Sequence, residues 1–188
     1  MSIRSMRRVL AGVDFSACSR RALAQADRLA AAAGAELHVL HVVEDQVLQE
    51  LAEALQSDVE PLRRDVLDDA GRHLADFCGE DARIRRHLVA GELLPTVLQV
   101  VASTEADLLV LGIRGEAEGD GAGSLAVGCC RRSPVPVLLV REEHQGAYRT
   151  IVVGTDFSDN AGRAVGVALE LARLEGARLA VVHAFRPP

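Results

Sequence analysis

The chain contains no tryptophan, and its four Phe and one Tyr bring aromatics to only 3% of 188 residues. That scarcity argues against an RNA-recognition sheet or an OB-fold, both of which stack bases on aromatic side chains. No run of apolar residues approaches the ~18 of a membrane helix. The arginines near the start (Arg4, Arg7, Arg8) lead into an apolar stretch too short for a secretory signal. Cysteine is sparse: Cys18, Cys78, Cys129 and Cys130 form no CxxC and no evenly spaced framework. They read as reduced thiols of a cytoplasmic protein. Positive charge is in deficit, with a net charge of −6 and a pI near 5.5. A general nucleic-acid binder, which needs a basic face, is therefore disfavoured. What is abundant is aliphatic and small: 49% of residues are hydrophobic, enough for a substantial core.

The length exceeds a usual domain of roughly 150 residues without reaching two, and an internal repeat accounts for the excess. Residues 7–44 and 149–186 align without a gap at a shift of 142, with 15 of 38 positions identical. The matches include Gly12/Gly154, Asp14/Asp156, Phe15/Phe157, Ser16/Ser158, Gly34/Gly176 and His41/His183. A period of this size is a whole domain, not a solenoid unit. The expected organisation is a complete unit over 1–143, a linker over 144–148, and a partial second repeat over 149–188.

Each copy has the grammar of a β-α-β unit. An apolar run over 9–13 suits a strand buried on both faces. Asp14 and Ser16 supply turn and N-cap chemistry, an Ala-rich helix follows to Ala33, and Gly34 caps it. A second strand is expected over 37–43, then a long helical stretch over 46–78 that Pro61 is expected to interrupt. Further strands are expected over 84–89, 108–111 and 135–140, with helices over 93–103 and 124–132. The 84–89 strand is partly polar and so suits an edge. Alternating strands and helices predict an α/β fold, a parallel sheet with helices on both faces. Ligands in such folds sit at the carboxyl ends of the strands, here at 12–16, Val42 and the glycine-rich stretch 112–124.

That stretch follows a strand and opens a helix, where glycines allow close backbone approach and free N–H groups attract anions. No Lys follows its last glycine, so it is not a Walker A loop. Asp14 and Asp156 lack a partnered acid or His in the motif, so capping or ligand contact suits them better than general-base catalysis. His38 and His41, three apart on a strand, point to opposite faces and cannot share a metal. The adjacent Cys129 and Cys130 read as packing residues on a helix, and the acidic run over 44–69 as a solvated helix face. No nucleophile motif or metalloprotease motif is present.

GVDFS at 12–16, LHVV at 40–43, DLLVLGIRG at 107–115 and GS followed by PVPVLLV within 123–140 resemble the universal stress protein family, over 7–141 and again from 149. The resemblance implies an open, doubly wound, five-stranded parallel sheet of the adenine-nucleotide α-hydrolase-like type. In its nucleotide-binding members the loop reads G-x2-G-x9-G-(S/T). By that resemblance Gly12, Val13, Asp14 and Val42 match positions that hold adenine and ribose. Gly112, Gly115, Gly123, Ser124 and Leu125 match positions around the phosphates. Here seven residues, not nine, separate Gly115 from Gly123, and they include Glu116, Glu118 and Asp120. Three carboxylates repel a triphosphate unless a divalent cation such as Mg²⁺ screens them.

Two readings follow from the resemblance. In one, the chain is a cytoplasmic stress-response regulator that binds ATP or a related adenine nucleotide without acting as an enzyme. In the other, it binds no nucleotide and works through dimerisation and protein contacts. An ATP-cleaving transferase is a third reading that finds no catalytic constellation. The family commonly dimerises through its last strand, here Val135 to Val140, so a homodimer is expected, with 149–186 docked on the first unit or exchanged between chains. Neither nucleic acid nor membrane is an expected partner. Whether the second repeat is short by nature or by truncation is open.

Overall fold

The structure, a computed structural model, describes residues 6–113 and 123–185. Five strands form the main sheet: β1 (Arg8–Gly12), β2 (Glu36–Glu44), β3 (Ile84–Gly91), β4 (Leu108–Ile113) and β5 (Val137–Arg141). Their order is β3-β2-β1-β4-β5, and every pairing is parallel. The crossovers are α1 (Ala17–Ala33), α2 (Asp45–Leu55) with α3 (Val59–Cys78), α4 (Leu93–Ser103) and α5 (Ser124–Arg132). The predicted sheet is therefore present, with β3 at an edge. The chain reverses its winding between β1 and β4, which opens a crevice at their carboxyl ends.

Two apolar layers sandwich this sheet. On one face Val9, Ala11, Val39 and Val110 meet Ala22, Ala26 and Leu29 of α1 and Leu74 and Phe77 of α3. On the other, Leu10, Leu40, Leu109 and Leu111 meet Val97, Val100 and Val101 of α4 and Cys129 of α5. Central strands buried on both faces explain the continuous apolar runs of β1 and β4. Alanines along α1 let that helix lie close to β1, β4 and β5. Cys129 is fully buried, and burial, aided by Cys130, pushes its thiol pKa up to about 11. That fits a packing residue.

The interruption of the long helical stretch lies earlier than expected. α2 ends at Gln56, which adopts a left-handed φ of 50°, and α3 restarts at Val59. Pro61 sits inside the first turn of α3, where a missing N–H breaks no intrahelical bond. It starts a helix instead of stopping one. The final strand also begins two residues later than expected, because Ser133 and Val135 close a local turn through Ser133 Oγ.

At the amino edge of the sheet, the buried His38 ring contacts His87 on β3, with Nδ1 and Nε2 2.9 Å apart. Burial, then the proximity of His38 and Arg85, lowers the His87 pKa. His41, on the opposite face, makes no part of this pair.

The second repeat forms β6 (Thr150–Gly154), α6 (Asp159–Glu175) and β7 (Arg178–Val182), a two-stranded parallel sheet separate from the first. α6 lies against α1, with Leu171 and Leu174 at the margin of the first core. Glu170 Oε1 accepts the Met6 N–H at 2.8 Å. The side chain of Glu175 is only 2% exposed. Its Oε1 accepts from Gln25 Nε2 at 2.9 Å and from Arg28 at 3.3 Å, and its Oε2 accepts the Tyr148 N–H at 3.0 Å. Within the single chain, this unit therefore lies on the first one. Its sheet stays largely bare: Val152 is 65% exposed and Val182 52%, whereas their repeat mates Leu10 and Leu40 are buried. Among the described residues no helix is long and apolar enough to cross a membrane.

Candidate functional site

Both repeats build the same turn at the end of their first strand. Ser16 N-caps α1, its Oγ accepting the Ser19 N–H at 3.2 Å. Asp14 braces that cap: its Oδ1 accepts from Ser16 N at 3.1 Å and from Ser16 Oγ at 2.6 Å. Burial works to raise the Asp14 carboxyl pKa, but hydrogen bonds from Ser16, Ser19 and the backbone outweigh it and hold it below the ordinary range. Asp14 is thus a fixed negative charge near neutral pH, and Ser16, not Asp14, is the helix cap. Between them Phe15 takes a left-handed φ of 65°, a strained conformation for a bulky residue. Its ring is held 4.2 Å from His41 and 5.5 Å from Phe77. The imidazole of His41 donates from Nδ1 to the Val13 carbonyl at 2.9 Å, tying β2 to the turn. Asp156, Phe157, Ser158 and His183 repeat these contacts in the second unit.

In the first unit the turn borders a crevice of about 400 Å³. Eight of the nine residues expected at a ligand site meet in it: Gly12, Val13, Asp14, Val42, Gly112, Gly123, Ser124 and Leu125. The ninth, Gly115, lies outside the described residues, as do Glu116, Glu118 and Asp120. The crevice also takes in Ser19, His41, Glu44, Leu93, Val97, Leu111 and Ala126, which were not among the residues expected to contact a ligand. Glu44 ends β2 just after Val42, so its position at the strand end was the available signal. Leu93 and Val97 share an apolar helix face that reads in sequence as core alone.

The glycines divide by role. A Cβ on Gly112 would lie 2.5 Å from the Cys18 carbonyl carbon and 2.7 Å from Ser19 N. Gly112 is therefore glycine so that β4 can touch the first turn of α1. Gly112 also lines the crevice, beside its contact with α1. Among the described residues, a Cβ on Gly123 would meet nothing within 4 Å. Gly123 precedes α5 without a side-chain cap, so the N–H groups of Ser124, Leu125 and Ala126 have no acceptor within the helix. These three residues line the crevice, and N–H groups at a helix start are neutral donors with a favourable helix dipole. No group of three or more His, Cys, Asp or Glu among the described residues could hold a metal ion.

The profile described as the universal stress protein family matches residues 6–141 and 147–188. The chain belongs to that family. A curated universal stress protein of Mycobacterium tuberculosis is 28% identical over 199 aligned positions, covering 94% of this chain. A counterpart in Mycobacterium bovis matches equally. The chain spans 62% of the length of these curated relatives. Among solved structures, a universal stress protein from Archaeoglobus fulgidus superimposes with a TM-score of 0.64 at 22% identity, covering 95% of this chain and 67% of that one. The universal stress protein from Lactobacillus plantarum gives 0.55 at 20% identity, covering 72% and 98% respectively. These likenesses establish the doubly wound universal-stress fold.

Proposed function

We propose that this universal stress protein is a cytoplasmic regulator that reversibly holds an adenine nucleotide, ATP or a relative, in the crevice at the carboxyl edge of its main sheet. The observation that carries this reading is the convergence of Gly12–Asp14, Val42 and Gly123–Leu125 on one cavity, next to the uncapped start of α5. Ligand binding without rapid turnover fits the site, because Asp14 is engaged by Ser16 and, among the described residues, no hydrogen-bonded base–nucleophile pair lines the cavity. Any Mg²⁺ would arrive with the phosphates. The complete unit over 1–143 would carry the site, and the unit over 149–188, joined by 144–148, would carry only the matching turn at Asp156. A second reading, action through protein contacts without nucleotide, is favoured by the two carboxylates, Asp14 and Glu44, that line the same cavity.

Denaturing the purified protein and identifying released small molecules by mass spectrometry, followed by calorimetry with added Mg-ATP, separates the two. An adenine compound released, or a binding heat, supports the first reading; silence in both experiments defeats it. Gly123→Val supplies a sharper check. With φ at −53° and no atom of the described residues within 4 Å of the missing Cβ, the substitution should change stability by no more than about 0.5 kcal/mol. It should abolish adenine-ligand binding, and unchanged affinity would refute the assignment of this end of the cavity.

Assembly is part of the same proposal. β5 pairs with β4 on one side alone, and an open apolar edge calls for a partner. The protein is expected to form a homodimer through β5, read by light scattering as twice the 20.0 kDa chain mass. A strictly monomeric species at micromolar concentration would rule this out.

A further inference from the structure

We propose that His38 and His87 form an acid-sensitive latch that holds the edge strand β3 on the main sheet. The two imidazoles meet across β2 and β3, with His38 Nδ1 2.9 Å from His87 Nε2 and the rings nearly parallel. His38 is buried and His87 half-buried. β3 stands at the end of the strand order, paired with β2 from Leu37↔Ile84 to Glu44↔Gly91. Among the described residues it has a strand neighbour on one side alone, so it is the strand of this pair that opens more easily.

Few charges face the pair. Glu36, two residues before His38 and on the same face, places Oε2 3.4 Å from His38 Nε2. Arg85 is the register partner of His38 on β3 and pairs with Glu36 at 3.1 Å. Arg8 on β1 stands 3.9 Å from Glu36 and is answered by Glu105 at 2.7 Å. α4, the helix packed over β2 and β3 on this face, has no ionisable residue. α2 and α3, with theirs, cover the other face of the sheet, which also carries His41 and Arg86.

A hydrogen bond between two imidazole nitrogens needs one N–H and one lone pair. The contact survives with both rings neutral or with one of them charged. With both charged, each facing nitrogen bears a hydrogen, and two cations stand 5.1 Å apart beside Arg85. Burial, then His38 and Arg85, accordingly lower the His87 pKa. In an unfolded chain both rings take a proton at pH ~6.5, whereas the folded pair resists the second. Its stabilisation of β3 is therefore complete above about pH 6.5 and is lost as pH falls from there through the lowered value of His87. Release of β3 would reach the crevice, because its last residue, Gly91, pairs with Glu44, and α4 follows with Leu93 and Val97 in the lining.

Hydrogen exchange of the full chain at about pH 7.5 and about pH 5.5, corrected for the intrinsic pH dependence of exchange, tests this. Both conditions lie above the ordinary carboxylate range, so imidazoles are the side chains that change charge. Protection of the β3 amides should fall about tenfold or more relative to β1 and β4 at the lower pH, the change that one pKa unit produces. Ring ¹⁵N NMR should show the pair taking its second proton well below pH ~6.5. His87→Gln keeps a side-chain donor for His38 but cannot charge, so it should abolish most of the acid-dependent loss in β3. Arg85→Gln, at an exposed position, should raise the His87 midpoint and shrink the loss. His73→Gln, on α3, should leave the loss as it is in the parent. Equal β3 protection at both pH values would overturn the inference. So would an undiminished acid loss in His87→Gln, or two rings titrating independently at the ordinary imidazole value.

Discussion

Gly112→Ala is expected to unfold the protein at a markedly lower urea concentration, losing about 2–3 kcal/mol, the upper part of the range for overpacked interiors. The added methyl would lie 2.5 Å, 2.6 Å and 2.7 Å from the carbonyl carbon and oxygen of Cys18 and the nitrogen of Ser19. All three are backbone atoms in the first turn of α1, so no side-chain rotation can relieve the clash. α1 would have to move as a body, and it is packed against β1 and β4 through Ala22, Ala26 and Leu29. The same displacement would shift Ser16 and Ser19 away from Asp14, so ligand binding should fall together with stability. Gly12→Ala is the fitting control. Its methyl would meet Leu111 Cδ2 at 2.6 Å, the end of a flexible side chain, so the loss should stay under about 1.5 kcal/mol. Equal urea midpoints for Gly112→Ala and the parent would show that β4 and α1 do not touch as described.

The second large effect is expected at Glu175. Truncation to alanine removes the acceptor shared by Gln25, Arg28 and the Tyr148 N–H, all at the α1–α6 contact. Buried donors left without an acceptor cost about 1–3 kcal/mol. The unit that depends on this contact has little else to hold it. A two-stranded sheet is marginal alone, and Val152, Val181 and Val182 are exposed on it. Hydrogen exchange in α6 should therefore accelerate by roughly tenfold or more, and proteases should cut near 142–148 sooner. The main sheet should keep its protection. Glu175→Gln retains one carbonyl acceptor and should restore part of the protection. Unchanged exchange in α6 after Glu175→Ala would show that the second unit is held by other contacts.

Much of this fold is legible in the sequence, because strands buried on both faces leave continuous apolar runs and helices leave periodic ones. The boundaries of α4 and α5 are read correctly, and β3 is recognisable as an edge by its arginines. Pro61 misleads because proline in a first helical turn and proline that ends a helix look alike until the preceding residues are placed. The αL conformation of Gln56, which breaks the stretch, has no signature such as glycine. At the site, eight of the motif residues line one cavity, while the packing of Gly112 against α1 could not be read from its spacing. A glycine next to a ligand and a glycine under a helix backbone leave the same letter. Glu175 likewise reads as one more surface carboxylate on a polar face. Its partners stand 27 to 150 positions away.

The scarcity of aromatics, the acidic balance and the repeat at a shift of 142 are properties of the chain itself. They determine an aliphatic α/β core, an excess of negative charge, and a second copy of the Asp14 turn. Such features are local or compositional, so they need no knowledge of what packs against what. Tertiary structure decided the rest. It brought Asp14 and Glu44 to the lining of one cavity, set the bare Cα of Gly112 against α1, and seated α6 on the first unit. Those outcomes depend on contacts between segments far apart in the chain, and neither composition nor periodicity carries them.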